Sequence, residues 1–131
     1  MKPSPFLDNA SKGLKNRLDI AEGFLKEAES ELEEYKKSGD EVKLRLVCEK
    51  AWGAIAQGLM YATGKDVTKH KSFEKLVGEL KSEEINEAFV AGDKLHSAGF
   101  YHGVLGFDTV KDSLELIKQA ITVIRNKRKS M

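Results

Sequence analysis

Leu14, Leu18, Ala21, Leu25, Ala28, Leu32 and Tyr35 follow one another at alternating spacings of four and three residues. On a helix of 3.6 residues per turn this places all seven on one stripe, whereas a strand would scatter them over both faces. An apolar stripe must be covered by another element, so the seam dictates a bundle or a coiled coil. Asp19, Glu22, Lys26, Glu29 and Glu33 fall on the wet side. The end of the chain repeats the device. Val110, Leu114, Ile117, Ile121 and Ile124 keep the same rhythm, widened by Leu116, Ala120 and Val123.

Between these seams the chain is punctuated rather than interrupted. Ser38-Gly39-Asp40 combines a helix-stopping glycine with a new N-cap. A second helix is predicted from about Glu41 to Thr63, on the three/four spacing of Leu44, Val47, Cys48, Ala51, Ile55, Gly58, Leu59 and Ala62. Ala51, Gly53, Ala54, Ala56 and Gly58 make its middle rich in small residues. Glycine within a helix costs up to about 1 kcal/mol relative to alanine, so a close helix approach is expected there. Gly64 ends it, and Lys65, Lys69, His70 and Lys71 cluster in a basic loop. A short helix opening at Ser72 carries Phe73, Leu76, Val77 and Leu80. Ser82 caps a further one with Ile85, Ala88, Phe89, Gly92 and Leu95 on one face. Thr109-Val110-Lys111-Asp112 has the form of a capping box opening the last helix. These elements predict an all-α fold, an antiparallel bundle of four to five helices. It is expected to occupy 1–131 as one domain, with an N-terminal arm over 1–8, marked by Pro3 and Pro5, and a basic tail over 126–131.

Charge narrows the function classes. Twenty-two basic residues face 21 acidic ones, a net +1, which gives no global field for nucleic acid. Cys48 is the only cysteine, so neither an internal disulfide nor a thiolate zinc framework can form. No apolar run approaches the roughly 20 residues of a membrane helix, and Met1 to Pro5 lead into charged residues. A cytoplasmic protein without a membrane partner is expected.

Chemistry concentrates between Lys94 and Gly103, which hold His96 and His102 with Phe100-Tyr101. Asp93, His96 and His102 have the ligand chemistry for zinc or non-haem iron, but their spacing and the lack of a further Cys or His cluster predict no metal. Phe100 and Tyr101 can stack a base or plug the end of the bundle. On the second helix, Glu49-Lys50-Ala51-Trp52-Gly53-Ala54 offers a carboxylate, an ammonium and the only tryptophan. Gly64-Lys65 is not a phosphate loop, because Asp66 stands where Ser or Thr is required and no strand precedes it. No nucleophilic triad emerges, and no catalytic residue or cofactor is expected.

The Glu49–Ala54 stretch, His70, and Leu95-His96 followed by Phe100-Tyr101 resemble the archaeal paREP-type family, small proteins related to the HEPN (higher eukaryotes and prokaryotes nucleotide-binding) domains. The resemblance spans most of the chain and implies an antiparallel HEPN-like bundle, often a homodimer. Many HEPN ribonucleases use an arginine followed four to six residues later by a histidine. None of Arg17, Arg45, Arg125 and Arg128 is so placed relative to His70, His96 or His102. Ribonuclease activity is therefore not carried over. In the paREP-type pattern the Phe-Tyr pair stands closer to Leu-His and an acid follows; here Ser97-Ala98-Gly99 intervene and His102 takes the acid's place.

Two expectations follow. The first is a non-catalytic binder of nucleotide or RNA, with Glu49, Lys50, Trp52, His70, His96, Tyr101 and His102 as ligand-binding residues, Lys69 beside them. The alternative is a homodimeric interaction module, or an antitoxin-like protein partner, with no small ligand.

Overall fold

The structure is a computed structural model describing the backbone of residues 10–129 and the side chains of 16–127 except His70. The expected N-terminal arm lies outside the described residues. Five α-helices and one π-helix form an all-α bundle, with no strand among the described residues. They are α1 (Ala10–Ser38), α2 (Glu41–Thr63), α3 (His70–Leu80), α4 (Glu83–Lys94), the π-helix (Leu95–Tyr101) and α5 (Phe107–Lys129).

Local chemistry accounts for most boundaries. Asp40 caps α2 by accepting a hydrogen bond from the Val42 N–H at 3.0 Å. Gly64 ends it in the left-handed conformation at φ +70°, its N–H returning to the Met60 carbonyl. Ser82 caps α4 through the Ile85 N–H. Two starts fall earlier than the sequence predicts. The third helix begins at His70 with Lys69 as N-cap, so Ser72 lies inside its first turn and donates its N–H to the Lys69 carbonyl. Likewise α5 begins at Phe107, with the Gly106 carbonyl accepting from the Val110 N–H, and Thr109 sits within the first turn instead of capping it. In both places the chain turns into the helix through backbone hydrogen bonds before the capping residue is reached. The basic residues Arg125 to Lys129 continue α5 rather than forming a separate tail.

The seams point inward. Ala21, Leu25, Ala28 and Leu32 of α1 are buried, as are Val110, Leu114, Ile117, Ile121 and Ile124 of α5. Both meet α2, whose Leu44, Val47, Cys48, Ala51, Ala54, Ile55 and Leu59 complete one hydrophobic cluster with Ile85, Ala88 and Leu95. The small residues permit this closeness. A Cβ on Gly58 would stand 2.5 Å from Ile121 Cδ1, and one on Gly92 2.7 Å from Ile55 Cγ2, so glycine lets α4 and α5 approach α2. Ion pairs lace the rim. Lys118 of α5 meets Glu29 of α1 at 3.1 Å, and Arg125 meets Glu22. Among the described residues no helix is long and apolar enough to cross a membrane.

Candidate functional site

The segment from Leu95 to Tyr101 neither stops nor unwinds. It continues α4 as seven residues of π-helix, closed by the His102 N–H donating to the Ser97 carbonyl at 3.1 Å and by Gly103 N–H to Gly99 O at 3.1 Å. A π-helix is rare and recurs at functional sites because its extra residue per turn re-aims the side chains that follow. Gly99 makes the arrangement possible here. A Cβ at that position would lie 2.5 Å from Cys48 Sγ and 3.0 Å from Cys48 Cβ, so only glycine lets the π-helix rest on α2. Burial at this contact pushes the Cys48 thiol up to about 11, and it is an inert core group.

Arg45, Cys48, Glu49 and Trp52 recur at the three/four spacing and share the stripe of α2 that faces the π-helix. Across this contact His96 Nδ1 faces both Glu49 oxygens, at 3.2 and 3.1 Å. A neutral imidazole beside a carboxylate carries its proton on Nδ1 and leaves a lone pair on Nε2. Trp52 stacks on the His96 ring at a centroid distance of 5.2 Å, and Tyr101 meets it edge-on at 5.0 Å. Trp52 is itself wedged against Phe73 and Phe89. Glu49, Trp52, His96 and Tyr101 are thus brought into one continuous set of contacts, joining residues about fifty positions apart in sequence.

Lys50 does not join them. One residue along a helix is a turn of about 100°, which carries its side chain away from Glu49 and over to α1. There it is paired with Glu31 and, at 3.3 Å, with Glu27. The bond to Glu31, opposed by burial and assisted by Glu27, raises its ammonium above the usual lysine range. An ammonium neutralised by two carboxylates is poorly placed to hold a phosphate. His102 is exposed at the end of the π-helix. His70 supplies the first backbone position of α3, and its side chain lies outside the described residues. Lys69 is exposed beside it. Among the described residues no three His, Cys, Asp or Glu side chains are grouped to hold a metal ion.

One residue of the site escapes the sequence reading. Arg45 donates from Nε to the Phe100 carbonyl at 2.8 Å and from Nη2 to the Tyr101 carbonyl at 2.7 Å. A helix ends with unpaired carbonyls, and a guanidinium fork matches two of them. Gly103, at φ +64°, leaves room for it: a Cβ there would stand 3.2 Å from Arg45 Nη1. The available signal was positional, since Arg45 precedes Glu49 by one turn and Trp52 by two. Beside this clamp an open groove of roughly 370 Å³ is lined by Val42, Arg45, Leu46, Phe100 and Tyr101. Val42 is 62% exposed and Tyr101 61%, and Leu46 is also exposed. Phe100 is half-buried against the core.

Compared with protein-family models, with curated proteins and with solved structures, the chain finds no match in any of the three.

Proposed function

We propose that this protein is a non-catalytic recognition module that takes a segment of a partner protein into the groove beside Arg45. The observation that carries the reading is the groove itself, where large apolar side chains of α2 stand exposed beside the aromatic end of the π-helix. A concave, mostly apolar surface with a charged group at its edge is the form that binding sites take. The described seam residues of α1 and α5 are largely taken up by the core, so the reading rests on the groove and not on the seams. Replacing both Val42 and Leu46 with glutamine keeps the helix propensity and removes the apolar walls. Partner binding in solution is expected to fall at least about tenfold in this double variant, on the scale of two lost apolar anchors. Undiminished binding would refute the reading.

A second reading is supported by exposed Tyr101, whose ring meets His96 edge-on and whose backbone carbonyl accepts from Arg45. It is the binding of a nucleotide or short single-stranded RNA, with a base on Tyr101 and a phosphate on Arg45. The withdrawal of Lys50 and the presence of the Glu49 carboxylate count against it. Loss of RNA retention on Tyr101→Ala, with the fold intact, would raise it to first place. The kinship with paREP-type, HEPN-like bundles belongs to the same proposal. The all-α bundle and the meeting of Glu49 with His96 are compatible with it.

A further inference from the structure

We infer that the segment received by the groove carries a carboxylate among its apolar residues, and that Arg45 reads it. This rests on the partner-binding reading above and adds the chemistry of the partner. Three arginine side chains are described. Arg17 meets Asp66 at 3.0 Å and Arg125 meets Glu22, but among the described residues Arg45 has no carboxylate partner and donates to two backbone carbonyls of the π-helix. Glu49, one turn along the same stripe of α2, is taken up by His96. Arg45 is exposed, and Gly103 places no side chain against its guanidinium.

The free protein tolerates this because Arg45 is solvated. A partner that covers Val42, Leu46 and Tyr101 strips water from the guanidinium between them. Burying a cation without an anion is strongly unfavourable, so a productive partner brings one. A second copy of this chain is a poor occupant, because a two-fold pairing centred on the groove sets guanidinium against guanidinium. RNA brings a phosphate, but the aliphatic Val42 and Leu46 walls offer its riboses no hydrogen bonds. What fits is an amphipathic protein segment with apolar anchors at helical spacing and an Asp or Glu beside them.

The test is selection of displayed random peptides, about four helical turns long, on the full chain, with counter-selection on the Val42→Gln, Leu46→Gln double variant. Enriched sequences are expected to combine apolar anchors with an acid. A synthesised representative should bind Arg45→Ala at least about tenfold more weakly than wild type. Because Arg45 also clamps the π-helix, the charge is isolated by a swap: Arg45→Glu should bind the same peptide better once its acid is replaced by lysine. Groove-dependent peptides with no acid, or with unchanged affinity for Arg45→Ala, would overturn the inference and leave the docking reading standing. Failure of the swap to restore binding would likewise overturn it. Absence of any groove-dependent peptide would sink both. Arg45-dependent binding of a short oligouridylate in place of peptide would do the same, in favour of nucleic acid.

Discussion

The two halves of α2 belong to one continuous helix and do different work. From Ala51 to Met60 the helix is the axis of the bundle, with Ala51, Ala54, Ile55, Gly58 and Leu59 buried beneath α1, α4 and α5. From Val42 to Glu49 only Leu44, Val47 and Cys48 go inward, while Val42, Arg45 and Leu46 stay exposed and Glu49 turns to the π-helix. One half is specified by tight packing, so its chemistry is decided by what fits. The other is specified by a few polar contacts at a surface, so what it does depends on what arrives there. That division can be broken experimentally, one half at a time.

The largest effect belongs to the inner half. Ile55→Ala removes a fully buried side chain and should lower stability by about 3 kcal/mol in urea unfolding, since its neighbours are fixed by three other helices. Gly99→Ala tests the seam between the halves. The added methyl meets Cys48 Cβ, which cannot retreat, so a loss of about 2 kcal/mol is expected. Cys48→Ala in the same chain should return part of it, because the closer overlap is with Sγ. Additive losses in that double-mutant cycle would mean the two positions do not touch.

Next comes the thiol. Burial raises the Cys48 pKa to about 11 in the folded protein, above its ordinary value of 9.0. Its contribution is therefore fully present at neutral pH and is lost as pH climbs from about 9 through about 11, because the unfolded chain releases the proton first. Wild type should lose about 1 kcal/mol more than Cys48→Ala between pH 7 and 10. Parallel pH profiles of the two proteins would contradict this burial of the thiol. The smallest effect belongs to the outer half: Leu46→Gln should change stability by no more than about 0.5 kcal/mol.

The inner half was legible in the sequence and the outer half only in pieces. Four/three periodicity reports burial directly, so the seams of α1 and α5 and the small-residue stretch of α2 could be read without coordinates. Glu49, Trp52, His96 and Tyr101 could be named from residue type. That they meet depends on the π-helix, whose wider turn has no distinct periodicity over seven residues. Lys50 shows the opposite failure. Adjacent in sequence to Glu49, it serves α1, and only the helical angle separates their roles. Arg45 had only its position on the Glu49–Trp52 stripe to mark it, because its partners are backbone carbonyls, which carry no residue identity.

The division of α2 is tested most directly by the Val42→Gln, Leu46→Gln double variant, measured for thermal unfolding and for binding of the selected peptide on the same preparation. Melting within a few degrees of wild type, with binding reduced at least about tenfold, is the predicted result. A collapse in melting temperature, or a stable protein that binds as before, would contradict the assignment of recognition to this half of the helix.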